Sequence, residues 1–485
     1  MTGFVPDLAA AVPAPADLGR VHLIAIGGAG MSAVARLLLA AGLTVSGSDA
    51  KDSPTLSALA AAGARVFVGH SADRLDGVDT VVVSSAIRTD NPELVAARER
   101  GLRILHRSQA LASLGSGRHV VAVAGANGKS TTTSMIVAAL VAAGRDPSFA
   151  SGAEIPQLGT NAAIGTGPDL VVEADESDGS FVVYAPDVAI VTNVQADHLD
   201  YYGDLAGVER AYRRFVDSAP DGGLLVVCAD DRGSRELGEY ARGTSRRVRT
   251  YGAREDADVR LTSADPTDVG GRAELSVGAR RHELVLQVPG RHNLENAAGA
   301  FTVLTEACGL TPEAALGGLA SFSGAARRFE SHGEPFGVRV IDDYAHNAPK
   351  VTAAVRTGRE MADRRGGRLL VIFQPHLYSR TRDFAQEFAA ALEPADEIVL
   401  LAVYPAREDP IEGVSSNLIS DRMSERGPGR SVVVEPDFEA AVQHVAAVAR
   451  PGDVVMTIGA GDVTSLAPRL ADALAHRAGE AGEAS

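Results

Sequence analysis

Little in this chain is cysteine, lysine or long apolar run, and each scarcity excludes something. Only Cys228, in an apolar run, and Cys308, in a helical one, are present, so no disulfide framework exists and a reducing cytoplasm is expected. No apolar stretch approaches the roughly 18 residues of a membrane helix, and the first basic residue is Arg20, so neither membrane insertion nor a signal peptide is expected. Positive charge is not in excess either. With 46 Lys+Arg against 62 Asp+Glu the net charge is −16, which argues against nucleic acid or an anionic membrane surface as the main partner. A local basic cleft for phosphates stays open. Of the 46 basic residues only Lys51, Lys129 and Lys350 are lysine. Codon bias is the plain cause, yet a lysine retained in such a background points to a position that needs a compact ammonium group.

What remains is ordinary globular material. The 485 residues are 45% hydrophobic and 22% charged, enough for about three domains at roughly 100–200 residues each. Residues 1–19 are rich in Ala and Pro and read as a flexible arm. From Val21 a scheme of apolar strand, glycine turn and helix repeats, which predicts parallel sheets covered by helices. Strands are expected at Val21–Ile26, Thr44–Ser46, Arg65–Val68, Thr80–Val83 and Leu102–Leu105, with Ser113–Arg118 as a linker. A second unit opens at Val120–Ala124 and carries runs at Leu170–Val172, Val188–Val191 and Leu224–Val227. Between Val259 and Val288 the period changes to two, which suggests a small appended antiparallel sheet. A third α/β unit follows, with strands at Val338–Ile341, Leu369–Phe373, Ile398–Leu401 and Val454–Ile458. The boundaries expected are 20–115, 116–328 and 329–476, with a disordered tail over 477–485.

Two turns carry the chemistry. Gly27-Gly28-Ala29-Gly30-Met31-Ser32-Ala33 places G-x-G-x-x-A between strand and helix, where close backbone approach and a helix N-terminus suit a diphosphate. Asp49 follows Gly28 by 21 positions, where a ribose-binding acid is expected. The structural alternative is a merely tight turn. The second turn, Gly125-Ala126-Asn127-Gly128-Lys129-Ser130, is a shortened phosphate loop with Val123 where the full motif has glycine. Its backbone N–H groups would cradle phosphate oxygens, Lys129 would reach the terminal phosphates, and Ser130 could ligate Mg²⁺. Glu173, at a strand end beside this loop, suits Mg²⁺; His198, in Asp197-His198, is a less typical ligand. Asp175, Glu176 and Asp178 read equally as ligands or as a solvated acidic turn. A dehydrogenase needs only the first turn and a phosphate-loop switch only the second. An enzyme joining a nucleotide-carried substrate to something else at the expense of ATP needs both.

Further segments carry a resemblance. Val21–Ser32, Ser-Gly-Ser-Asp (46–49), Ser-Ser-Ala-Ile-Arg (84–88), Glu-Ala-Asp-Glu-Ser-Asp (173–178), Asp-His-Leu-Asp (197–200), Gly-Arg-His-Asn-Leu-Glu-Asn (290–296), Arg-Arg-Phe-Glu (327–330), Asp-Asp-Tyr-Ala-His (342–346) and Phe-Gln-Pro-His-Leu-Tyr-Ser-Arg-Thr-Arg (373–382) resemble the Mur ligase family. The likeness is to its branch that adds the first amino acid to the peptidoglycan stem. It runs in order from about Val21 to Leu470. It implies an α/β, three-domain architecture: a Rossmann-like UDP-substrate domain, a central P-loop ATPase domain bearing the small antiparallel sheet, and a Rossmann-like C-terminal domain closing over both.

By position, the resemblance assigns Gly28, Ala29, Gly30 and Met31 to the diphosphate, and Ser48, Asp49, His70, Ser84 and Ser85 to the UDP-sugar. ATP falls to Gly125–Thr131, with Asn293 and Asn296 on the adenine side, Asp343 on the ribose and Arg327 steering charge. The catalytic set is Lys129, Glu173, His198, His346 and Arg380, with Ser130, Glu173 and His198 as metal ligands. The implied reaction is ATP-dependent attachment of L-alanine to UDP-N-acetylmuramate through an acyl phosphate, with Mg²⁺, for which Mn²⁺ may substitute, in a cytoplasmic monomer or weak homodimer. The alternatives are a recycling ligase taking a preformed murein tripeptide and, more remotely, a nicotinamide oxidoreductase. Three departures stand out. Asn347-Ala348-Pro349-Lys350 replaces the family's usual His-Pro-Thr-Glu and alters the local loop; Leu377 replaces a frequent Arg; and Ala126-Asn127 stands where many members have Thr-His. The carbamylated lysine of sister ligases is also ruled out in the central domain, because no lysine occurs between Ser130 and Pro349.

Overall fold

The computed structural model describes residues 4–8, 10–406, 408–425 and 431–483. The chain forms two compact units, one of residues 1–266 and 270–323, the other of 267–269 and 324–485.

The first unit holds two sheets. The smaller is a parallel five-stranded sheet in the order Arg65–Val68, Val45–Asp49, Val21–Ile24, Thr80–Val83, Arg103–His106. Strand order reverses at Val21–Ile24, so the crevice at the carboxyl ends of this strand and Thr80–Val83 is where such sheets take ligands. The first glycine turn and Ser84-Ser85 leave the sheet there. The larger sheet has ten strands. Its centre is parallel and, apart from His119, Asp169 and Glu173 at strand ends, apolar: Leu224–Cys228, Val188–Val191, His119–Ala124 and Asp169–Glu173, with Ser148–Ile155 next to the last. Continuous Val/Ile/Leu/Ala runs form these strands because helices bury both faces.

The period-two segment forms the antiparallel strands Val259–Pro266, Gly271–Val277 and Arg280–Leu286. They extend the large sheet instead of standing apart, because Tyr251 and Gly252 pair in parallel with Val259 and Arg260. One apolar core runs through both sheets, with Leu111, Leu114, Val120 and Leu170 in the same cluster as Leu23 and Val191. The turn after helix Arg107–Ser113 therefore joins two sheets without separating two cores.

The second unit is a six-stranded sheet in the order Glu330–Ser331, Arg339–Asp343, Val454–Ile458, Leu369–Phe373, Glu397–Leu400, Ser431–Val434. All pairs are parallel except the first. The α/β class and the three-sheet architecture agree with the expectation.

Two expectations about the termini need correction, as far as the described residues reach. The arm is not loose: Phe4 N–H donates to the Ile87 carbonyl at 2.8 Å, Gln109 bonds the Asp7 carbonyl at 2.9 Å, and Leu18 is core. The tail is not disordered throughout, since the last helix runs Leu466–Glu483. Residues 1–3, 9, 484 and 485 lie outside the described set. Among the described residues no helix is long and apolar enough to cross a membrane.

Candidate active site

The second glycine turn is built by backbone conformations that other residues resist. Gly125 has φ +135°, and a Cβ there would lie 2.0 Å from Thr192 Oγ1. The turn is tied to the neighbouring strand's exit: Asn127 N–H donates to Asn193 Oδ1 at 3.0 Å, and Thr192 Oγ1 donates to the Asn127 carbonyl at 2.5 Å. Ala126 is buried, with its N–H on the Asn193 carbonyl at 3.3 Å. Helix Lys129–Ala142 starts directly after, with Ser130 and Thr131 in its first turn. Asn296 lies against the turn, its Oδ1 2.6 Å from where a Gly128 Cβ would be, whereas Asn293 is buried and donates to the Pro289 carbonyl at 2.6 Å.

Lys129 Nζ donates to the Gly125 carbonyl at 2.6 Å and to Glu176 Oε1 at 2.9 Å. Burial works against its charge, but Glu176, Asp175 and Glu173 outweigh burial and hold its pKa above the ordinary lysine value. Glu176 is only 2% exposed; burial pushes its carboxyl up, Lys129 pulls it down and Asp175 adds to the rise. Its second oxygen, Oε2, is buried and makes no hydrogen bond among the described residues. Asp178 is buried too. The acidic turn is therefore only partly solvated: Glu176 and Asp178 are buried, whereas the Asp175 side chain stays 43% exposed while it pairs with Arg107.

The carboxylates divide differently from the expected metal set. Glu173 accepts from Ser130 Oγ at 3.0 Å and from Gly152 N–H at 2.6 Å, so both its oxygens are engaged. Glu176, Asp197 and His198 instead bring three ligand atoms within 4.8 Å of one another. His198 is held in a left-handed conformation, φ +53°, by the turn that opens helix Leu199–Tyr202, and Asp197 accepts its backbone N–H at 2.9 Å. Glu176 Oε1, which also accepts from Lys129, lies 4.0 Å from His198 Nε2, and two carboxylates with an imidazole at this spacing fit a divalent cation.

The first turn opens helix Ala29–Ala40. Asp49 Oδ2 accepts the Gly27 N–H at 3.0 Å, and Met31 turns its side chain into the core. Ser48 and His70 meet around Glu93, and Ser84 accepts the Ile87 N–H at 3.0 Å.

The residue that sequence reading missed is Arg107. Its Nη1 lies 2.6 Å from where a Gly30 Cβ would stand, and its Nη2 donates to Asp175 at 2.8 Å. Asp175 also acts on Lys129; burial raises the Asp175 carboxyl, but Arg107 and Lys129 overcome that and hold it far below the usual range. A second link runs beside it: Ser85 Oγ donates to Asp178, and Nε2 of the buried His106 lies 3.1 Å from Ser85 and 3.3 Å from Asp178. The two glycine turns are thus joined by charge inside one compact unit. A faint signal existed, since Arg107 directly follows a strand and stands at the N-terminus of a helix, where a cation opposes the helix dipole.

His106 supports a pH prediction. Burial lowers its pKa from 6.5 to about 4, against the pull of Asp178. A folded pKa below the unfolded one means that the folded chain binds fewer protons in that window, so stability falls as pH drops from about 6.5 to about 4. His106→Asn, which keeps a side-chain acceptor at the helix N-cap, should flatten this part of a melting-temperature profile by up to one proton's slope. An unchanged profile would remove His106 as its source.

In the second unit, Asp343 accepts the backbone N–H groups of Phe329 and Ala345 at 2.9 and 2.8 Å; burial raises its carboxyl, with Arg328 opposing. Arg327 donates to the carbonyls of Gly459 and Gly461 and stacks on Tyr344. His346 Nδ1 lies 3.1 Å from the Tyr344 carbonyl; burial, then Lys350 and Arg380, keep its pKa well below the ordinary value. Arg380 donates to the His346 carbonyl at 3.4 Å. The altered segment at 347–350 opens a helix: Asn347 caps Ala348–Arg364 by accepting Lys350 N–H at 3.0 Å. Leu377 adopts φ +73°, a costly conformation for leucine.

Models of three Mur ligase domains match in succession: the family's catalytic domain over residues 20–119, its middle domain over 123–304 and its glutamate ligase domain over 327–461. The chain belongs to the Mur ligase family. It is 53% identical over 460 residues to the UDP-N-acetylmuramate–L-alanine ligase of Paenarthrobacter aurescens, covering 94% of this chain and 98% of that one. Against the enzyme of the same name from Kineococcus radiotolerans it is 53% identical over 472 residues, covering 96% and 99%. Among solved structures, the UDP-N-acetylmuramate-alanine ligase of Thermotoga maritima matches with a TM-score of 0.78 and 28% identity over 93% of this chain and 98% of that one. A murein peptide ligase from Psychrobacter arcticus follows at 0.69 and 25%, covering 94% and 99%.

Proposed function

We propose that this Mur ligase joins L-alanine to the lactyl carboxylate of UDP-N-acetylmuramate at the expense of ATP. The carboxylate oxygen attacks the γ-phosphorus and ADP leaves; the alanine amine then attacks the acyl carbon and phosphate leaves. The observation that carries this reading is the charged link Arg107–Asp175 between a diphosphate turn and a phosphate loop in one unit. Near-full-length relatives at 53% identity bearing that enzyme's name support it.

Within the site, the Gly27–Met31 backbone and Arg107 hold the sugar-nucleotide diphosphate, and the Gly125–Ser130 backbone and Lys129 hold the ATP phosphates. Glu176, Asp197 and His198 would hold Mg²⁺ or Mn²⁺, which when bound neutralises charge on phosphoryl oxygens. Glu173 acts through Ser130. Two buried free cysteines suit a reducing cytoplasm.

The test is ADP release with UDP-N-acetylmuramate and a panel of amines. L-Alanine should support turnover. Exclusive use of a preformed tripeptide would assign the recycling activity instead, and release dependent on NAD(P) would overturn both. Gly30→Val would drive a side chain into the Arg107 guanidinium and should raise the KM for UDP-N-acetylmuramate by about tenfold or more, the cost of at least one charge-assisted contact. The KM for ATP should change far less; the reverse pattern would mean that the two turns bind the opposite ligands.

A further inference from the structure

Glu93, in the first turn of helix Pro92–Glu99, is fully buried and has no part in the chemistry above. Its carboxylate gathers donors from three directions. Ser48 Oγ donates to Oε2 at 2.5 Å, His70 Nδ1 lies 3.0 Å from the same oxygen, and the Ser71 N–H donates to Oε1 at 3.3 Å. Buried His22 places Nε2 3.6 Å from Oε1. Burial would raise the carboxyl, but His22 and Ser48 outweigh burial and hold it ionised, below the ordinary glutamate value.

Proton accounting then fixes the His70 ring. An ionised carboxylate only accepts, and Ser48 spends its single proton on that carboxylate. Ser48 Oγ also stands 2.8 Å from His70 Nδ1. Both neighbours of Nδ1 are therefore acceptors, so Nδ1 carries the hydrogen. In the neutral ring Nε2 is left with a lone pair. His70 follows Gly69, whose N–H bonds the Asp49 carbonyl at 2.7 Å, and its side chain is 20% exposed at the ligand-facing edge of the sheet.

We propose that Glu93 is a positioning residue of the sugar-nucleotide site: it holds His70 as the Nδ1–H tautomer, so that Nε2 accepts a hydrogen bond from the nucleotide. The inference rests on reading the first turn as the UDP-sugar site. The ligand group must be an N–H or O–H donor. Uridine offers one as the imide N3–H of its base and others as ribose hydroxyls, whereas cytosine presents a bare acceptor at N3.

Nitrogen-15 NMR of histidine-labelled protein, assigned through His70→Asn, should show His70 protonated at Nδ1 and bare at Nε2. Its Nε2 resonance should move when UDP-N-acetylmuramate is added. Glu93→Gln should lose that tautomer preference and raise the KM for UDP-N-acetylmuramate roughly tenfold, about one hydrogen bond, while kcat and the ATP KM stay nearly constant. In the His70→Asn background the same change should add nothing. Cytidine-based and 2′-deoxy analogues separate the sources: a penalty that vanishes in His70→Asn for one of them names the base or the ribose. A wild-type His70 protonated at Nε2, or a Glu93→Gln effect undiminished without His70, would overturn the proposal. Should UDP-N-acetylmuramate prove not to be a substrate, the functional reading fails, and the tautomer measurement still decides this point. Should Glu93→Gln not fold, the wild-type tautomer and its ligand shift still decide it.

Discussion

Lys129→Ala should lower kcat by at least about 100- to 1,000-fold, the scale of one lost electrostatic contact in a closed site. Nζ sits between the Gly125 carbonyl and Glu176, at the mouth of the helix that begins at position 129. Charge moving onto ADP and the acyl phosphate needs a cation there, and the three acidic neighbours hold the pKa of this one above the ordinary lysine value against burial. The fold should survive the change. Glu176 loses its partner, but burial already favours its protonated form, so it takes up a proton instead of standing as a buried unpaired charge. Lys129→Arg should not restore the rate, because a planar guanidinium cannot occupy the space of a compact ammonium bonded 2.6 Å from a backbone carbonyl. The measurements are steady-state ADP release at saturating ATP and a thermal melt. Near wild-type turnover in Lys129→Ala would mean that the second turn does not hold ATP.

The sheets were legible because their central strands are uninterrupted apolar runs, as at Val120–Ala124, which ends at a glycine turn, and Val188–Val191. Two of the strands that escaped notice lack that mark. Ser148–Ile155 contains Ser151, Gly152 and Glu154, and Arg247–Gly252 begins Arg-Val-Arg-Thr although it is paired on both sides. Their pairing is set by neighbours distant in sequence, a tertiary effect that overrides local propensity. The phosphate turns were legible because glycines, Lys129 and Ser130 are consecutive. Arg107 was barely so, since its place at a helix N-terminus is only a faint mark; its meaning comes from Gly30 and Asp175, remote in the chain. The acidic turn was legible only in part. Sequence placed Glu173 and Glu176 side by side as candidates, and only burial separates the engaged carboxylate from the open one.

That separation sets the second large effect. Glu176→Gln keeps the shape of the side chain and leaves an acceptor for Lys129, but it removes the negative charge from the Glu176–Asp197–His198 group. The concentration of Mg²⁺ needed for half-maximal rate should rise by about 10- to 100-fold or more, since even indirect partners of metal sites cost that much. Part of the lost rate should return at high Mg²⁺. Glu173→Gln makes the contrast, because its oxygens are already taken by Ser130 and Gly152. It should lower the rate through Ser130 and shift the metal requirement less. Titrations of rate against Mg²⁺ for both variants decide between them: a larger shift in Glu173→Gln would return the metal to the ligands expected from sequence, and no shift in either would place it elsewhere.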